Sequence, residues 1–128
     1  MPGAQAYLEG VQRLLQEMGV GSINLDISED DTAGRLTASV RLRGRCRLEV
    51  DARLTFFRAP LLHKYSFQLL SNDDDQLLRY DNVPHHPNLA GFPHHQHRLG
   101  SDAEPVTPAP SIRTILGAIE DELESRAR

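Results

Sequence analysis

Apolar residues recur at two different periods along this chain, and each change of period marks an element. Tyr7, Leu8, Val11, Leu14, Leu15 and Met18 fall at helical spacing, with Gln5, Glu9, Gln12, Arg13, Gln16 and Glu17 on the other side. That spacing predicts a helix over residues 5–18, and Gly19 stands where a left-handed cap is expected. From Ser22 the period drops to two: Ile23, Leu25 and Ile27 alternate with polar neighbours as in a half-buried strand. Residues 35–56 alternate again, with Leu36, Ala38 and Val40 sharing a side with Cys46, Leu48, Val50, Ala52 and Leu54.

Parity also sets an expected hairpin register. A two-residue loop at Arg43-Gly44 would turn one arm's arginines onto the apolar face. A three-residue loop, Leu42-Arg43-Gly44, pairs Arg41 with Arg45 and Val40 with Cys46, and sets Arg35 opposite Asp51 and Thr37 opposite Glu49. A fourth strand follows Pro60, with Tyr65, Phe67 and Leu69 inward and Lys64, Ser66 and Gln68 outward. A fifth runs from Gln76 to Asp81, with Leu78 and Tyr80 on one face and Leu77, Arg79 and Asp81 on the other.

Residues 100–110 carry Pro105, Pro108 and Pro110 and read as a linker. Ser111 then offers an N-cap for a helix over residues 111–126, whose stripe is Ile112, Ile115, Leu116, Ile119 and Leu123. The strands lie within residues 22–81, so the expected fold is α+β. An antiparallel sheet of about five strands would carry the N- and C-terminal helices on one face, as a single domain over residues 1–128.

Composition changes this picture little. No apolar run approaches the length of a membrane span, no secretory leader is visible, and Cys46 is the one cysteine, which points to a cytoplasmic chain with a buried, inert thiol. A formal charge of −4 argues against a general nucleic-acid coat but leaves room for a local basic patch such as Arg41, Arg43, Arg45 and Arg47. That row could contact a phosphate backbone, or protect a sheet edge by charge.

The histidines change the picture most. Five of the six fall within residues 85–97, directly after Arg79-Tyr80-Asp81-Asn82. A core has little use for such a cluster, whereas imidazole serves both proton transfer and metal ligation. In an extended segment His95 and His97 project to one side, and His85 or His86 could fold back to join them. With His94 in the same tract and Asp81 as an oxygen ligand, zinc, manganese or nickel would be accommodated, although no zinc-finger spacing is present. Metal-free acid–base chemistry is the other reading, with His86, His95, His97 and Asp81 cleaving RNA at its 2′-hydroxyl. Arg79, Lys64 and Arg98 would then hold phosphate, and Tyr80 would donate a hydrogen bond or stack on a base. The parity of Tyr80 with Leu78 points instead to the core.

Arg79-Tyr80-Asp81-Asn82-Val83-Pro84-His85-His86, then Phe92-Pro93-His94-His95-Gln96-His97, resembles the TumE family of small bacterial and archaeal toxin–antitoxin proteins. That family's pattern is close to R-Y-D-N-A-P-H-H, a short gap, then F-P-H-H-K-H. The resemblance covers roughly residues 35–125 and implies a toxin with a helix-turn-helix antitoxin as partner. Gln96 stands where a lysine is usual. If that lysine binds phosphate, its absence attenuates the chain unless Arg98 substitutes. The combined expectation is a toxin with a histidine-rich active site, RNA as target, no membrane and a homodimer as an open option. The alternative is a non-enzymatic binder that sequesters a nucleic acid or protein partner through the same segment.

Overall fold

A computed structural model of the chain describes residues 3–82 and 93–127. Helix α1 (Ala4–Met18) leads into strands β1 (Gly19–Ile27), β2 (Ala33–Leu42), β3 (Arg47–Phe57), β4 (Ala59–Leu70), β5 (Gln76–Asp81), β6 (His95–Arg98) and β7 (Glu104–Pro105), followed by helix α2 (Ile112–Arg126). The strands form one antiparallel sheet in chain order. The fold is therefore α+β, with seven strands rather than about five.

Both helices lie on one face, as the alternation requires. Leu8, Val11 and Leu15 of α1 and Ile112, Ile115 and Ile119 of α2 meet Leu36, Val40, Leu48, Val50, Tyr65, Phe67 and Leu78 of the sheet in one apolar cluster. Each such aliphatic or aromatic side chain contributes about 1.5–3 kcal/mol on burial. The N-terminus of α1 has no side-chain cap of its own. Asp31 of the β1–β2 turn serves instead, accepting from Ala4 N at its carbonyl (3.0 Å) and from Gln5 N at its carboxylate (2.7 Å). Ser111 caps α2 as expected, accepting from Thr114 N at 3.1 Å.

Three local expectations need correction. Gly19 is extended, with φ −175°, so no left-handed cap forms and β1 begins at once. Glycine is required there by a close approach, since a Cβ would sit 2.1 Å from the Arg41 carbonyl oxygen. The β2–β3 loop does have three residues, but they are Arg43–Arg45, displaced by one. Leu42 and Cys46 form the closing pair, Arg41 meets Arg47, and Arg35 meets Arg53. The displacement keeps side-chain parity and buries Leu42, which the expected register would have left in the turn. Gly44 (φ 72°) and Arg45 (φ 59°) together take the left-handed conformations that reverse the chain. Lastly, the region read as an irregular histidine segment and linker contains β6 and the short β7.

The sheet's other face is polar and open. Rows cross it by register, one of them Asn24, Thr37, Asp51, Ser66, Asp81 and His95. The neighbouring row contains Ser22, Ser39, Glu49, Gln68, Arg79 and His97. The arginine hairpin is central in the sheet, so edge protection is not its role. Arg43 pairs with Glu120 and Glu124 of α2, and Arg47 with Glu49 and Asp74.

Candidate functional site

The last residue of β5 and the first of β6 are register partners, and they are Asp81 and His95. Two residues along, Arg79 faces His97. The period of two therefore gathers all four side chains on the open face of the sheet. Asp81 is wholly buried and His95 is 1% exposed, while Arg79 and His97 keep part of their side chains in solvent.

Asp81 is the centre of the group. His95 Nε2 lies 2.7 Å from its Oδ1, Arg79 Nε 2.6 Å from its Oδ2, and His97 Nε2 3.9 Å from the same Oδ2. The Arg79 contact is an ion pair by distance, although its N–H does not align with the oxygen as a hydrogen bond. His95 Nδ1 lies 2.9 Å from the Pro93 carbonyl oxygen. Both nitrogens of this ring thus lie within hydrogen-bonding distance of oxygen atoms, which fixes the ring's orientation. The His95 and His97 rings meet edge to face, with centroids 4.8 Å apart.

Asn82 fixes Asp81 in place. Its backbone N–H still donates to the Tyr65 carbonyl at 3.4 Å, and its side chain carries the pairing with β4 further: Oδ1 accepts from Tyr65 N at 2.9 Å and Nδ2 donates to His63 O at 2.8 Å. Both bonds are local replacements for ladder rungs that β5 no longer supplies. The sequence marked Asn82 only as part of the motif. A side-chain bond to backbone seventeen or more positions away leaves no local signal.

The expected site residues divide into two groups. Asp81, His95, His97 and Arg79 come together. Lys64 also lies on the open face, in register with Arg53 and two positions before Ser66. Tyr80 is buried beside Phe67 on the helix-facing side, opposite Asp81, as its parity indicated. Arg98 is also on that side, ion-paired with Glu122 of α2. Gln96 shares it, donating to Glu104 at 3.0 Å. Lysine at position 96 would therefore point towards Glu104 and away from His95 and His97, and Arg98 is no substitute cation for them.

His94 is separate as well. Its Nδ1 lies 3.0 Å from the Tyr65 hydroxyl, and the two rings stack. Burial, then the negative charge of Asp81, raises the Tyr65 phenol above its usual range, so it remains a donor and His94 Nδ1 accepts. Burial, then His95, lowers His94 below the usual imidazole value and keeps it neutral. His85 and His86 lie outside the described residues.

Asp81, His95 and His97 also form a group that could hold a metal ion, with their ligand atoms all within 4.8 Å of one another. A cleft of about 380 Å³ lies elsewhere, lined by Arg41, Arg45, Arg47, Cys46 and Ser71, at the opposite end of the strands from Asp81.

The fold and the site together define an α+β protein with one helix-covered sheet face and a buried carboxylate–imidazole pair on the other. Comparison with family models identifies it more closely. The model described as toxin TumE matches residues 11–126, and the chain belongs to that family. It is thus a toxin of a toxin–antitoxin system, and an antitoxin partner is implied. No curated protein and no solved structure matches the chain. Among the described residues no helix is long and apolar enough to cross a membrane.

Proposed function

We propose that this toxin cleaves RNA phosphodiesters at the 2′-hydroxyl, through His97 supported by the Asp81–His95 pair. One observation carries the reading: a part-exposed imidazole stands against a buried, carboxylate-bound one, with a guanidinium beside both. Cleavage of this kind needs one group to take the 2′-hydroxyl proton as its oxygen attacks phosphorus. A second group must return a proton to the 5′-oxygen as that bond breaks. His97 is the imidazole presented to solvent and is assigned one of these transfers, with His86 as the expected partner. His95 is a positioning residue that holds His97 edge-on, and Asp81 sets the His95 ring. The remaining donors of Arg79 suit the phosphate oxygens, whose negative charge grows during attack.

A second reading has its own support. The same three ligand atoms suit a divalent zinc or manganese ion, and the His95 Nδ1 contact to a backbone carbonyl is the outer support that ligating histidines commonly have. Such an ion would supply Lewis acidity and an activated water for hydrolysis. A helix-turn-helix antitoxin and an RNA target belong to both readings.

The test is expression of the chain in a bacterium without its antitoxin. Growth should slow, and His97→Ala or Asp81→Asn should relieve the effect at equal levels of folded protein. Undiminished toxicity of folded His97→Ala would remove the site from the mechanism and leave sequestration of a partner as the better account.

A further inference from the structure

The two edges of the sheet are finished in opposite ways. At one edge β7 is two residues long and ends on Pro105, which has no N–H to offer another strand. At the other, β1 runs nine residues from Gly19 to Ile27 with unbroken register, contains no Lys, Arg or Pro, and carries a single charge, Asp26. Folded proteins blunt exposed edges with short strands, prolines and lysines. This chain does so at β7 and not at β1.

The ladder determines which β1 groups face outward. Ser28 N donates to Ala33 O, one rung beyond the Ile27–Gly34 pair. Antiparallel rungs alternate, so Asp26, Asn24, Ser22 and Val20 bond to β2, while the backbone groups of Gly21, Ile23, Leu25 and Ile27 point away from it. Among the described residues no loop or cap hydrogen bond reaches those outward groups.

We propose that β1 pairs antiparallel with β1 of a second copy, about a two-fold axis through Ile23, joining the two sheets into one. Ile23 is the midpoint of the strand, so this register uses its whole length and sets outward backbone groups opposite outward backbone groups. On the helix side it places Gly21 opposite Leu25 and Gly19 opposite Ile27, small against large. The half-buried Ile23, Leu25 and Ile27 thereby gain a second apolar wall. On the open face Ser22 meets Asn24 and the exposed Val20 meets Asp26, with no like-charge pair. A slip of one residue would exchange the two faces. This self-complementarity selects a second copy as the occupant, as two-fold pairing demands. Asp81 lies four strands from the seam, so the two histidine sites would stand nine strand spacings apart, roughly 43 Å at about 4.8 Å each.

The test is the mass of the purified full chain in solution, from about 1 to 100 µM, by sedimentation or light scattering, across the affinities at which a weak dimer forms. Twice the 14.3 kDa chain mass is expected at the upper end. Ser22→Lys with Asn24→Lys changes two exposed positions and gathers four lysines at the seam. It should weaken the dimer by about tenfold or more. Ser22→Lys with Asn24→Glu sets lysine opposite glutamate and should restore it, with equal denaturation midpoints confirming that each variant folds. A monomer at about 100 µM, or equal dimerisation of all three chains, would overturn the proposal. So would protection of the Gly21, Ile23 and Leu25 amides that arises only with bound antitoxin, which would assign the edge to a donated antitoxin strand.

Discussion

Replacing Asn82 should loosen the candidate site without touching any group assigned to proton transfer. Asn82→Ala deletes an acceptor 2.9 Å from Tyr65 N and a donor 2.8 Å from His63 O. The Tyr65 amide is buried, and leaving it unsatisfied costs about 1–3 kcal/mol, whereas the exposed His63 can recover a water for its carbonyl. The expected loss is therefore about 1–3 kcal/mol, a substantial part of a typical folding stability of about 5–15 kcal/mol. Asn82→Asp sharpens the test. Ionised, it keeps the acceptor, loses the donor and adds a second carboxylate beside buried Asp81. Protonated, it again has a donor for His63 O. Its carboxyl should bind protons more readily in the folded chain than in the unfolded one, so the penalty should be small at acid pH and grow as pH rises above about 4. Urea denaturation of both variants between pH 4 and 8, referenced to the parent at each pH, provides the measurement. A flat Asn82→Asp difference across that range, or an Asn82→Ala loss below about 0.5 kcal/mol, would refute the clamp.

Three further outcomes follow from side chains whose partners are defined. Gln96→Lys should leave the histidine site and its activity unchanged while gaining at most about 1 kcal/mol from Glu104, read from activity and denaturation together. Arg98→Ala should cost stability through Glu122, by about 1 kcal/mol or less, and should leave RNA affinity intact; a large loss of affinity at equal stability would return Arg98 to the site. His94, lowered below the usual imidazole value near ~6.5, binds fewer protons folded than unfolded. Its contribution to stability is accordingly complete above that value and is lost as pH falls through the folded one, and the fall should diminish in His94→Gln when unfolding is followed in the presence of chelator.

Alternation was a reliable guide along most strands with one apolar face, but not at Leu77, expected beside Arg79 and Asp81 and found instead in the core cluster next to the register shift at Leu69–Leu70. Leu36 to Leu54, Tyr65 to Leu69 and Leu78 with Tyr80 all point as their parity requires. It failed at His95–Arg98, whose four residues are polar on both faces, and at Glu104–Pro105, because an edge strand is defined by backbone pairing that leaves no hydrophobic pattern. The β2–β3 register depended on whether Leu42 enters the turn or the core, and burial of Leu42 against the helices is a tertiary matter. Within the site, the motif led to Asp81, His95, His97 and Arg79 together. It misled on Gln96 and Arg98, because period two in β6 sends alternate residues of one short motif to opposite faces of the sheet.

The most direct test is the chemistry of the ends left on RNA by the purified chain. Transfer to the 2′-oxygen leaves a 2′,3′-cyclic phosphate and a 5′-hydroxyl, needs no added metal, and cannot occur at a 2′-deoxy position. The account predicts those ends in the presence of chelator and a loss of about a hundredfold or more in rate for His97→Gln with RNA affinity largely retained. Cleavage that continues at a 2′-deoxy position and leaves 5′-phosphate ends, or an unchanged rate in folded His97→Gln, would contradict it.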